Sequence, residues 1–134
     1  MQVWFREQMA MYTAYHRDVR NCATHFIGVP LIVFALLVAM SLIQIGQIGG
    51  MPATLATVFL ALLLLLYCVA VPVMGIVSIV VYIPLLWYAQ ATSLGSPSFV
   101  WTVVGSSFVG GWFLQLIGHV FEGRRPALTD NLLQ

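Results

Sequence analysis

The sequence predicts an all-α, polytopic membrane protein: an N-terminal amphipathic helix followed by a bundle of about four transmembrane helices. Three observations predict it. Hydrophobic residues make up 61% of the 134 residues and charged residues only 7%, against roughly 25% charged in soluble domains. The charges stand at the two ends: Arg6, Glu7, Arg17, Asp18 and Arg20 at the front, Glu122, Arg124, Arg125 and Asp130 at the back. From Asn21 to Phe121 no side chain carries a formal charge, apart from a proton on His25 or His119. Such an uncharged run fits several membrane crossings in a lipid bilayer and gives no basic surface for nucleic acid.

The elements follow in order within a single integral-membrane domain, 1–134. Residues 1–24 lack the apolar core and small-residue cleavage site of a signal peptide. Their apolar positions recur as Phe5, Met9, Tyr12, His16, Val19 and Ala23, with Arg6, Arg17, Asp18 and Asn21 on the other side. That is the stripe of an interfacial helix. The transmembrane bundle is expected over 29–118. Its first span runs from about Val29 to Ile45, with Pro30 in a first-turn position, and ends in the glycine-rich turn GQIGGMP. Ala53 to Tyr88 is too long for one crossing of about 20 residues, and Pro72 and Gly75 in VPVMG offer the place to fold it in two. A single kinked helix is the alternative. TSLGSPS at 92–98 is a loop, and Phe99 to Gly118 makes the last span, whose GSSFVGG is suited to close helix packing. A polar segment, 119–134, closes the chain.

Four crossings return the chain to its starting side, so both charged ends share one face. Five arginines against four acids make that face cytoplasmic by the positive-inside rule. The absence of lysine hints at a GC-rich bacterial genome and hence an inner membrane, or the endoplasmic reticulum if the source is eukaryotic. Cys22 and Cys68 near a reducing face are expected to form no disulfide.

The same topology brings His16, His25 and His119 to one level, and these are the only histidines. Three imidazoles at one face suggest a metal site, although an imidazole is also at ease at an interface without a metal. His16 and His25 are nine residues apart, on opposite sides of a straight helix, so they share a metal only if the helix breaks between them. Asn21 is a suitable helix end. On the last helix Trp112, Gln115, His119 and Glu122 follow a 3-4-3 spacing and share a stripe. Three ligands with open positions fit mononuclear non-heme iron and equally zinc with a bound water. In a zinc hydrolase Glu122 would be the general base. In a small transporter or assembly factor the histidines would be proton-linked or structural. Spacing leaves these open.

YHRDVRNCATHFIGVP (15–30) and LQLIGHVFEGRRPALTDNLLQ (114–134) resemble the two signature blocks of the fungal and bacterial 2-hydroxy fatty acid dioxygenase family, with four spans between them in matching order. The resemblance covers essentially the whole chain. Relatives often continue with a further apolar segment, so the span count rests on this stretch alone. The resemblance implies an iron(II)-dependent (Fe2+) enzyme, in fungi of the endoplasmic reticulum. It shortens a 2-hydroxy fatty acid by one carbon with O2, the α-oxidation step of phytosphingosine breakdown. The carboxylate and hydroxyl of such an acid can chelate a three-histidine iron, the substrate itself supplies the electrons, and the acyl tail lies in the apolar bundle. On this reading His16, His25 and His119 are the metal ligands and Glu122 orients His119 or ligates. Gln115 stands beside the site, Asn21 caps a helix or bonds at the site, and Tyr15 is an interfacial aromatic. Arg124 or Arg125 meets the substrate carboxylate or lipid phosphates.

Overall fold

The computed structural model describes residues 18–49 and 51–122. Residues 1–17, with Tyr15 and His16, and residues 123–134, with Arg124, Arg125 and Asp130, lie outside the described part, as does most of the expected interfacial helix.

Four helices and one hairpin make up the described chain: α1 (Val19–Ser41), β1 (Gln44–Ile48), β2 (Met51–Thr54), α2 (Leu55–Ala70), α3 (Pro72–Ser93) and α4 (Pro97–Glu122). Helix α1 starts earlier than the apolar run suggests, taking in residues 19–24. At its start the Asp18 carboxylate accepts from the Arg20 backbone N–H at 2.8 Å, and the Asp18 carbonyl accepts from Cys22 N–H at 3.0 Å. Two expectations change with this border. Asn21 does not end a helix but lies in the first turn of α1, and Pro30 lies in the helix interior rather than its first turn. An interior proline removes one backbone donor, which membrane-type helices tolerate because neighbours re-satisfy the released carbonyl.

The glycine-rich turn is a β-hairpin. Its strands pair antiparallel from Ile48↔Met51 to Gln44↔Thr54, with an irregularity between Gln44 and Gly46. Gly49 takes a positive φ of 59°, open to glycine at no steric cost. Thr54 then caps α2: its side chain accepts from Thr57 N–H while the Thr57 side chain accepts from Thr54 N–H, a reciprocal box that satisfies two orphan donors. The long apolar stretch folds in two as expected. Val71 is extended (φ −147°, ψ 90°) and Pro72 opens α3, because the ring of a proline drives the preceding residue out of the helical region. The two arms close tightly: a Cβ on Gly75 would stand 2.6 Å from the Cα of Cys68, so only glycine fits. Neither Cys22 nor Cys68 forms a disulfide. The expected TSLGSPS loop narrows to 94–96 between α3 and α4.

Residues 33–107 form one compact unit. Leu37, Val38, Ala56, Leu60, Leu64, Ala89 and Val100 are its buried core, with Leu85, Leu86 and Tyr82 packed against it. Across the α2–α3 hairpin the Gln90 amide donates to the Thr57 hydroxyl at 3.0 Å. Outward, Leu62, Leu65, Leu66, Val73, Ile76 and Val80 are exposed. Three helices, Val19–Ser41, Pro72–Ser93 and Pro97–Phe121, are long and apolar enough to cross a membrane, while Leu55–Ala70 is a shorter apolar helix. Only 11% of the most apolar window of α3 is buried, so most of that apolar surface faces outward.

Candidate functional site

The second compact unit comprises residues 1–32 and 108–134; its described part is the first half of α1 and the last half of α4. These run antiparallel, meeting through glycines. A Cβ on Gly111 would stand 2.6 Å from Ile32 Cγ1 and 2.8 Å from the Gly28 carbonyl oxygen, and one on Gly28 would stand 2.9 Å from the Gly111 carbonyl oxygen. One further contact along, Gly118 faces Asn21, Thr24 and His25 with no room for a side chain. Small residues of this kind let helix backbones approach where lipid supplies no hydrophobic drive between helices.

That approach gathers a polar layer. Asn21, His25 and Gln115 are buried, Asn21 completely, and His119 is half-buried. The rings of His25 and His119 meet edge to face, centroids 5.0 Å apart and planes 88° from parallel. The sequence reading of one histidine before the first span and one after the last is corrected in detail, since both lie within helices. Of the three imidazoles expected at one level, His25 and His119 stand in contact, and His16 lies outside the described residues. His25 Nδ1 lies 3.0 Å from the Asn21 carbonyl oxygen, which also accepts from the Thr24 hydroxyl at 2.8 Å. A carbonyl only accepts, so Nδ1 carries the proton and, in the neutral ring, Nε2 keeps its lone pair. A metal-binding histidine has that tautomer and that kind of partner behind it.

Of the expected stripe on α4, Gln115 and His119 turn inward while Trp112 is partly exposed, its ring 6.4 Å from that of Phe108. The Gln115 Nε2 is buried with no hydrogen-bond partner among the described residues. Glu122 closes α4, and its side chain lies outside the described part. Among the described residues no group of three His, Cys, Asp or Glu stands together. Among the described residues the imidazoles that could hold a metal are therefore this pair, with the tautomer set at His25.

Arg20, which sequence reasoning passed over, links the two helix ends. Its guanidinium pairs with Asp18 at 2.8 Å and lies over the Phe121 ring, 4.7 Å from the centroid. The side-chain hydrogen bond from Arg20 holds the Asp18 carboxyl down at about 2, so that end stays ionised near neutrality. Gly28 and Gly118 were also missed. Their signal was there, since Gly28 follows His25 by one turn and Gly111 and Gly118 stand two turns apart.

Comparison with known proteins identifies the family. The family model described as 2-hydroxy-palmitic acid dioxygenase Mpo1-like matches residues 3–134. The 2-hydroxy-palmitic acid dioxygenase MPO1 of Saccharomyces cerevisiae is 31% identical over 130 residues, covering 96% of this chain and 71% of the yeast protein. No solved structure matches the chain. With the family model matching from residue 3 to residue 134 and a relative 31% identical over 96% of the chain, the chain belongs to the 2-hydroxy-palmitic acid dioxygenase Mpo1-like family.

Proposed function

We propose that this protein is an iron(II)-dependent dioxygenase that converts a 2-hydroxy long-chain fatty acid into the acid one carbon shorter. The observation that carries the reading is the His25–His119 pair, set in a buried polar layer of a chain with that kinship. The reaction balances without a co-substrate: 2-hydroxy acid and O2 give the shortened acid, carbon dioxide and water. The bond between the first two carbons breaks, and the substrate supplies all four electrons that reduce O2.

His25 and His119, with His16 from outside the described residues, would hold the iron. When bound it would supply oxygen activation and a seat for the substrate head group. The chain's own residues do the rest. The Asn21 carbonyl fixes the His25 ring and tautomer. The Gly28–Gly111 and Gly118 contacts bring the two imidazoles within reach of one another. Glu122, one turn past His119 in sequence, would orient that ring, and Arg124 or Arg125 would meet the substrate carboxylate. The apolar helices accommodate the acyl tail. The protein sits in a bilayer as a multi-pass chain, with its termini and its site at the cytoplasmic face.

Anaerobic purification, iron loading and oxygen uptake with 2-hydroxyhexadecanoic acid test this. The expected result is one O2 consumed per acid and pentadecanoic acid as product. Tightly bound zinc, no oxygen uptake and water-dependent cleavage of an ester or amide would overturn it.

A further inference from the structure

Gln115 is over nine-tenths buried, at 8% exposure, and its Nε2 has no hydrogen-bond partner among the described residues. A buried amide is ordinarily satisfied. Gln90, a partly buried amide inside the other compact unit, shows the usual outcome, donating to the Thr57 hydroxyl at 3.0 Å. Gln115 instead occupies the space that Gly28 leaves open: a Cβ at residue 28 would stand 2.9 Å from its Nε2. Gln115 lies one helical turn, about 6 Å along α4, before His119, and Gly28 lies three residues after His25. The amide therefore stands one layer behind the histidine pair, on the same seam.

We propose that Gln115 reads the 2-hydroxyl of the substrate, making the chain selective for 2-hydroxy acids over unsubstituted ones. This rests on the 2-hydroxy acid reading of the site. The chemistry of the amide singles out a hydroxyl. An amide has one donor face and one acceptor face, and turning it over exchanges them. A hydroxyl both donates and accepts, so it satisfies the amide in either setting, whereas a carboxylate satisfies only the donor. An acid lacking the hydroxyl leaves the amide buried and unpaired, and sites that hydrogen-bond a substrate hydroxyl reject such analogues strongly for that reason. Beside the amide, the atoms nearest the point where a Cβ on Gly28 would stand are the Gly111 carbonyl oxygen and the Leu114 Cβ, neither of them a side-chain hydrogen-bonding group.

The test uses the full chain in detergent with iron stripped out, so that discrimination comes from the protein's own residues. Equilibrium binding of 2-hydroxyhexadecanoic acid and of hexadecanoic acid is measured for the wild type and for Gln115→Met, a near-isosteric apolar variant. The wild type is expected to prefer the hydroxy acid by roughly ten-fold or more, the scale of one buried polar group left unpaired. Gln115→Met is expected to bind hexadecanoic acid as the wild type does and to lose most of the preference. Its melting temperature should be unchanged or higher, since an unsatisfied amide is removed. Preference retained in the variant, or a fall in melting temperature that marks a structural role, overturns the assignment while leaving the dioxygenase reading in place. A wild type that neither discriminates between the acids nor consumes oxygen with the hydroxy acid once iron is restored overturns the reading beneath it as well.

Discussion

In the unit spanning 33–107, the buried polar groups are finished locally. Ser41 donates to the Leu37 carbonyl at 2.7 Å, Thr54 caps α2, and Gln90 bonds across the α2–α3 hairpin. In the unit of residues 18–32 and 108–122, the helices meet closely at glycines, yet the Nε2 of the buried Gln115 amide has no partner among the described residues and two imidazoles share a contact. The first region spends its polar groups on its own helix ends and turns; the second keeps polar groups where an apolar seam would be more stable. Burying polar atoms without full satisfaction costs stability, and among the described residues that cost falls beside the histidine pair. The difference separates a scaffold from the proposed site.

The largest expected effect lies in the second unit. Replacing His25 or His119 with alanine should remove bound iron and turnover together, by about 100-fold or more, since even the groups behind metal ligands matter on a 10- to 100-fold scale. Iron content and oxygen uptake, measured on the same purified samples, decide it. A His119→Ala protein with its full iron sinks the assignment.

A smaller effect separates two glycines of the same helix. Gly118→Ala thrusts a methyl against Asn21, Thr24 and His25, whereas Gly105 has nothing within 4 Å of where its Cβ would stand. Overpacking a close seam costs about 1–3 kcal/mol, so Gly118→Ala should lower the unfolding midpoint in detergent and Gly105→Ala should leave it in place. Equal losses at both positions would break the contrast between a built seam and an open face.

The smallest effect belongs to the scaffold. Gln90→Leu removes one interhelical hydrogen bond, worth about 0.6 kcal/mol on average between membrane helices. It should shift stability by that order while iron content and turnover stay at the wild-type level. Loss of iron in this variant would show that the division into scaffold and site is drawn in the wrong place.

What the sequence revealed and what it concealed follow the same physics. The break at Val71 was legible because Pro72 acts on its immediate neighbour, and the 94–96 loop and the Gly49 turn are local in the same way. The Gln115–His119 alignment was legible as helical spacing. The strands QIGQI and MPAT were not, since glycine and proline interrupt any alternation of apolar and polar residues. Asn21 was misplaced because asparagine favours helix ends by its own chemistry, and only Gly118 on a partner helix a hundred residues away makes room for it inside one. Pro30 was assigned to a first turn for a similar reason. The pairing of α1 with α4 through Gly28, Gly111 and Gly118 is a long-range fact that no local window contains.

The claim at the centre is that His25 and His119 bind one iron. X-ray absorption at the iron edge of the loaded, anaerobic full chain tests it most directly, because imidazole rings add an outer-shell scattering pattern that water and carboxylate ligands lack. The expected spectrum shows at least two imidazoles on the iron, and one fewer in whatever metal His119→Ala retains. An iron surrounded by oxygen ligands alone, with a spectrum unchanged in His25→Ala and His119→Ala, would contradict it.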